Sequence, residues 1–217
     1  IRHYCRGSGG IKTMSKIEKV TKTTDNRFLN MYDLDVVTKT GHKGLYHVAS
    51  RAKDVSDLKL NTHVNKPDGV IIYALYGEKR EQVVLIRQYR FSIGGYIYEF
   101  PAGLVDEGEN YHQAGVRELK EETGLTFHPI EVDEMYSRPY FTTIGMTDES
   151  CAAVYGAADG VISRNGLEDG EEIEVVLADR TEIRRILKEE NVAIMTAYML
   201  MHFLEDKEPF GFLNKIR

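Results

Sequence analysis

Residues 103 to 125, GLVDEGENYHQAGVRELKEETGL, confine this chain more tightly than any other stretch of it. Glycines and charged residues stand there in a fixed frame: Gly103, Glu109, Arg117, Glu118, Glu121, Glu122 and Gly124, with apolar Leu119 and Leu125. The pattern predicts a loop, then a helix from about Asn110 to Thr123, then a stop at Gly124, because glycine just past a helical run enters the left-handed region at little cost. Asp106, Glu107 and Glu109 fall where that helix begins and suit the positive end of its dipole.

With about 3.6 residues per turn, Glu118 and Glu122 stack on one helical face and Glu121 lies beside them. Ala114 and Gly115 are expected on the same face. Val116, Leu119 and Thr123 are expected to pack inward from the opposite side. Carboxylates this close repel one another, and a hard divalent cation relieves that repulsion. Mg²⁺ takes oxygen ligands, commonly one or two carboxylates together with substrate phosphates. Arg117, four residues before Glu121, can hold that carboxylate in place. An ordinary solvated helix with i,i+4 pairs accounts for Lys120, but it does not require Gly103, Gly124 or the spacing between them. Seven fixed places, each filled at about 7% usage, coincide by chance on the order of 10⁻⁸ times per starting point.

The stretch resembles the Nudix box, Gly-x5-Glu-x7-Arg-Glu-U-x-Glu-Glu-x-Gly-U with U apolar, at every fixed position. The segment before it, VLIRQYRFSIGGYIYEFPAGLVDEGE, resembles the ADP-ribose pyrophosphatase branch of that family, also called ADP-sugar diphosphatases. The residues that carry this second likeness are Gln88, Tyr89 and Arg90, then Glu99, Phe100, Pro101, Ala102 and Gly103, with Pro139 beyond the box. The resemblance runs through residues 27 to 205. It implies an α/β fold, a Nudix α/β/α sandwich with a mixed sheet preceded by a small amino-terminal antiparallel sheet. It also implies Mg²⁺-dependent hydrolysis, with Mn²⁺ as a substitute, of the pyrophosphate in ADP-ribose or a related nucleoside diphosphate sugar.

By position, the resemblance makes Glu118 and Glu122 the main metal ligands, Glu121 an additional one and the Ala102 carbonyl a backbone ligand. Glu109 braces Arg117, and Gly103 and Gly124 serve the box structurally. Arg90 grips the substrate phosphates, since a guanidinium fork suits a pyrophosphate, and Gln88 accompanies it. Arg51 is a second phosphate or adenine contact. Glu99 is either a salt-bridge partner or a substrate or metal contact. An acid on the LEDGEEIEV loop assists the attacking water, Glu171 or its neighbour Glu172, alongside Glu121 and Glu122 in the catalytic set. Some members of the branch stack adenine on tryptophan, and this chain has none. Phe28 and Tyr32 are candidates for stacking or for core packing. The base preference therefore stays open, with GDP-mannose, a coenzyme A derivative or a damaged nucleotide as alternatives. The intact box speaks against a non-catalytic ligand sensor. The branch exchanges amino-terminal strands between subunits, which implies a homodimer.

The chain has 217 residues and a formal charge of −6, which argues against a general nucleic-acid backbone binder. Cys5 and Cys151 are too few and too widely spaced for a disulfide framework or zinc site, and they suit a reducing cytoplasm. No apolar run approaches a membrane span, and no secretory signal is visible. Residues 1–13 differ from the rest and are expected to be a cloning remnant or a basic tail. Residues 14–60 are expected to form an amino-terminal β-region for dimerisation and 61–217 the hydrolase domain.

Short strands are expected between Ile17 and Ala49, and a charged loop from Lys53 to Leu60. DGVIIYALYG (68–77) reads as a buried strand and QVVLIRQYR (82–90) as its hairpin partner. YIYEFPAG leads into the box. IEVDEMYSRPYFTT reads as a strand broken before Pro139. ESCAAVYGAA and IEVVLAD are further strands. Helices are expected from Thr181, as its own cap, to Glu190 and from Asn191 to Leu204, the latter with Ile194, Tyr198, Met201 and His202 in register.

Overall fold

The computed structural model describes residues 14–167, 170 and 172–214. The remnant expected at residues 1–13 and the acid Glu171 lie outside the described residues. Contacts divide the chain into two compact units, one of residues up to Asn65 together with Phe141–Glu149, the other of Lys66–Tyr140 and the residues from Ser150 onward.

The first unit carries a three-stranded antiparallel sheet, β1 (Lys16–Lys22), β2 (Asn30–Val37) and β3 (Lys43–Ser50), in that spatial order. Alternation along β2 turns Tyr32 and Leu34 inward, where they meet Leu58 in a small core. The Tyr32 hydroxyl donates to the Ala52 carbonyl at 2.6 Å, so Tyr32 is a packing residue. Phe28 is exposed, with the Arg27 guanidinium 4.7 Å from its ring centroid. Lys53–Leu60 is more ordered than a loop. A 3₁₀ turn at Val55–Asp57 runs into the single-turn helix α1 (Lys59–Thr62), because Leu58 between them is drawn into the core.

The second unit is built on a mixed sheet. Its strands are β4 (Gly69–Tyr76), β5 (Gln82–Arg90), β6 (Gly95–Glu99), β7 (Ala102–Leu104), β8 (Thr126–Pro129), β10 (Ser150–Asp159) and β11 (Ile173–Ala178), and the two-residue β9 (Tyr140–Phe141) falls where the chain leaves this unit. The spatial order is β11-β5-β4-β10-β8, with β6 on β5 and β7 on β4. β4 and β10 run parallel, whereas β11–β5 and β10–β8 are antiparallel. The expected β4–β5 hairpin is confined to the pairs Leu75–Val83 and Tyr76–Gln82, because β7 and the Pro101 carbonyl take the rest of that edge of β4.

β4 reads as an unbroken apolar run because both its faces are covered. Val70, Ile72 and Ala74 meet helix α2 (Tyr111–Thr123) through Ala114 and Leu119. Ile71, Tyr73 and Leu75 meet α4 (Arg180–Glu189) and α5 (Ile194–Glu205) through Ile183, Ile186, Leu200 and Phe203. The result is an α/β/α sandwich. Among the described residues, no helix is long and apolar enough to cross a membrane.

Several local expectations shift. The strand expected near Ile130 is β8, which ends at Pro129, followed by a one-turn helix α3 (Glu134–Ser137) that Asp133 caps through the Met135 amide. Asp179, not Thr181, caps α4, accepting from the Thr181 and Glu182 amides at 2.8 Å each. α5 starts at Ile194 rather than Asn191, because Asn191 and Ala193 exchange backbone hydrogen bonds with Tyr98 in β6. Its inward residues are Thr196, Leu200 and Phe203, while Ile194, Tyr198 and Met201 are exposed.

Candidate active site

Helix α2 owes its position to both of its ends. Asn110 accepts from the His112 and Gln113 amides at 3.0 Å each, and Gln113 returns a bond from the Asn110 amide at 3.0 Å. Such a capping box contributes about 1 kcal/mol. At the other end Gly124 has φ +75°, and an added Cβ would stand 2.6 Å from Ser163. Left-handed conformation and crowding both require glycine there.

The inward face differs from expectation. Ala114, Gly115, Leu119, Glu122 and Thr123 are buried, while Val116 is exposed. The small residues let the helix approach the sheet closely, and a Cβ on Gly115 would meet Val154 at 3.3 Å. Asp106, Glu107 and Glu109 precede the Asn110 cap, and the first turn itself holds no acid.

Burial of Glu122 brings its carboxylate to the sheet edge, where it accepts from the Ala102 amide at 3.1 Å. The next residue, Gly103, leaves room for Glu118. A Cβ on Gly103 would stand 1.9 Å from the Glu118 carboxyl carbon. Two carboxylates one helical turn apart thus converge on consecutive residues of β7.

Arg117 organises the rest. Its guanidinium donates to both oxygens of Glu109, at 3.1 and 2.9 Å, and to the Leu104 carbonyl at 3.0 Å. Its Nη1 also donates to Glu118 at 2.8 Å and to Glu121 at 3.1 Å. The Arg117 bonds hold the Glu109 carboxyl below its ordinary value, and the surrounding acids, Glu109 first, raise Arg117 further still. Glu121 is half-exposed and drawn toward Arg117. Among the described residues, no group of three His, Cys, Asp or Glu side chains gathers as a metal-holding cluster. Glu118 and Glu122 lie against β7, and Glu121 lies beside them, held by Arg117.

The β5–β6 pairing places Arg90 and Gln88 on the same sheet face as Val84, which packs in the α2 core. Arg90 Nε donates to Glu99 at 2.7 Å. Glu99 lies three residues before Ala102, so this bond lays the guanidinium back along the strand toward β7. Glu99 is thus a salt-bridge partner of Arg90.

Strand alternation orients Glu172, one of the two loop acids considered for water assistance. Ile173 pairs with Gln88 and Val175 with Ile86, so the odd residues of β11 face α2. Glu172 belongs to the opposite face, where the Tyr96 hydroxyl donates to its carboxylate and the Tyr89 amide donates to its carbonyl at 3.1 Å. Arg51 belongs to the first unit and pairs with Glu149 at 2.9 Å. Two contributors escaped sequence reasoning. The Leu104 carbonyl carries no side-chain signal. Gly166, where a Cβ would stand 2.7 Å from the Glu121 carbonyl, had only an Asn-Gly turn signal.

A family model described as NUDIX domain matches residues 65–198. The ADP-ribose pyrophosphatase of Saccharomyces cerevisiae is 34% identical over 112 residues, 49% of this chain and 47% of that protein. The ADP-sugar pyrophosphatase of Mus musculus is 50% identical over 44 residues, 20% of each chain. The chain spans about half the length of the Saccharomyces cerevisiae relative and about a fifth of the Mus musculus one. A solved structure titled "Crystal structure of ADP compounds hydrolase" superposes with a TM-score of 0.63 at 15% identity, covering 90% of this chain and 95% of that one. At that identity the likeness bears on the fold alone.

Proposed function

This chain belongs to the Nudix family, and from that premise we propose that it hydrolyses the pyrophosphate bond of ADP-ribose or a related nucleoside diphosphate sugar, yielding AMP and ribose 5-phosphate from ADP-ribose. The observation that carries the proposal is the convergence of Glu118 and Glu122 on the Ala102–Gly103 backbone, braced through Arg117. The donor set is all hard oxygen, and Mg²⁺ commonly takes one or two carboxylates together with substrate phosphates. Glu118 and Glu122 would hold the ion, with the Ala102 carbonyl as a further donor, and Mn²⁺ would substitute. A divalent ion supplies charge neutralisation at the phosphates and activation of the nucleophile.

The chain's own residues do the positioning. Arg90, steered by Glu99, offers a planar fork to the phosphate oxygens, and a guanidinium matches two of them at once. Glu109 fixes Arg117, and Arg117 keeps Glu118 and Glu121 from swinging into solvent. Glu171 is the proposed acid that assists the attacking water. Arg51 is proposed as a substrate contact of the amino-terminal β-region, residues 14–60, which in this proposal serves a homodimer while residues 61–217 form the hydrolase domain.

The test is a turnover panel of ADP-ribose, GDP-mannose, ADP-glucose and NADH with Mg²⁺, with products identified. ADP-ribose is expected to be the best substrate, and Glu122→Gln is expected to abolish turnover while the urea unfolding midpoint stays near the parent's. A Glu122→Gln protein that turns over like the parent would overturn the metal assignment. A better rate on GDP-mannose would move the substrate class.

A further inference from the structure

An open cavity of about 650 Å³ lies on the sheet face away from α2, a volume within the range of small-molecule sites. Its floor is formed by Ile71 and Tyr155, which belong to the core on the α4 and α5 side. Its rings are held as walls rather than as polar groups. The Tyr136 hydroxyl donates to the Phe212 carbonyl at 3.2 Å, Tyr140 to the Met135 carbonyl at 2.8 Å and Tyr155 to the Tyr136 carbonyl at 3.2 Å. The His202 ring stacks on Phe212 at 5.3 Å between centroids. Met195 and Met199 of α5 complete the lining with flexible apolar side chains, which adapt to varied shapes.

Four polar groups remain at this lining, the Arg138 guanidinium, the His202 imidazole, the Tyr198 hydroxyl and the Cys151 thiol, and Arg138 alone carries a fixed charge. Arg138 lies 5.2 Å from the Tyr140 ring centroid, and no carboxylate among the described residues forms a salt bridge with it. In a chain of net charge −6, an arginine that pairs with an aromatic face instead of an acid is complementary to an anion from outside. We propose that this cavity binds a planar aromatic anion, with the ring system between the tyrosine and methionine walls and one carboxylate or sulfonate at Arg138. A cation on an aromatic face beside apolar walls suits such a ligand on both counts.

The test uses 8-anilinonaphthalene-1-sulfonate as the probe with the full chain. Saturable binding with one site is expected, with enhanced fluorescence. Arg138→Gln, at an exposed position, is expected to keep the fold and weaken binding about tenfold, as loss of a charge-assisted contact does. Met199→Trp, which narrows the cavity with an indole ring, is expected to weaken binding. ADP-ribose with Mg²⁺ is expected not to displace the probe, which holds whether or not ADP-ribose is the substrate. Four results would overturn the proposal: no saturable binding, parent-like binding by Arg138→Gln, displacement by ADP-ribose, or sedimentation showing a dimer that must dissociate before the probe binds.

Discussion

Substituting Gly103 by alanine isolates the carboxylate pair from the rest of the fold. The new Cβ would stand 1.9 Å from the Glu118 carboxyl carbon and 2.0 and 2.4 Å from its oxygens. Carbon–carbon contacts settle near 3.5 Å, so the carboxylate must retreat by roughly 1.5 Å. Gly103 is not among the glycines at positive φ, so alanine adds no backbone strain. What moves is the far end of a flexible side chain, and the fold should yield little. The retreat breaks the 2.8 Å bond from Arg117 to Glu118. A charged hydrogen bond of this kind contributes about 1.5–3 kcal/mol when buried, and partial exposure of Arg117 reduces that to about 1 kcal/mol. Misplacement by an ångström can cost about 100-fold in rate. The expected outcome is therefore a stability loss of about 1 kcal/mol by urea denaturation with a fall of about 100-fold in kcat on ADP-ribose. Parent-like turnover would refute the idea that Glu118 acts from the space Gly103 leaves. A stability loss above about 3 kcal/mol would mean the sheet edge, not the carboxylate, had given way.

Arg117→Ala strands Glu109 and Glu118, both largely buried, and is expected to lower stability by about 3 kcal/mol at neutral pH. Glu109 is held below its ordinary value of 4.5, chiefly by Arg117. Its contribution is present above that value and is lost as pH falls through the lowered one. Unfolding free energies measured from pH 7 down to acid should therefore fall less steeply in Arg117→Ala than in the parent, and equal slopes would contradict the linkage. Glu172→Gln should keep kcat within about twofold, whereas Glu171→Gln should lower it about 100-fold in steady-state assays; the reverse order would exchange their roles. The Tyr73 hydroxyl is buried without a hydrogen-bond partner among the described residues. Tyr73→Phe should thus leave stability unchanged or raise it by up to about 1 kcal/mol in urea denaturation, and a loss beyond that would reveal a partner.

What could be foreseen in this chain was local, and what could not was decided by pairing. The extent of α2, the Gly124 stop and the Gln82–Arg90 strand follow from spacing and punctuation within a few residues, and each stands where expected. The inward face of α2 does not follow from hydrophobicity. Val116 is more apolar than Gly115, yet Gly115 is buried and Val116 exposed, because contact with Val154 on β10 rewards the absence of a side chain. The same holds for the acids on the loop before β11. Glu171 and Glu172 are indistinguishable by composition, and only the register of β11 on β5, Ile173 against Gln88, assigns Glu172 to the Tyr96 face. The carboxylates divide for a related reason. Glu118, Glu121 and Glu122 share a helical face by periodicity, but Arg117 stands between Glu118 and Glu121 and bonds both, while the sheet-edge amide of Ala102 takes Glu122. The spacing of the box thus places two carboxylates against β7 and an arginine that restrains the third. Glu121 should consequently tolerate neutralisation better than Glu122, since its loss leaves the pair at β7 intact.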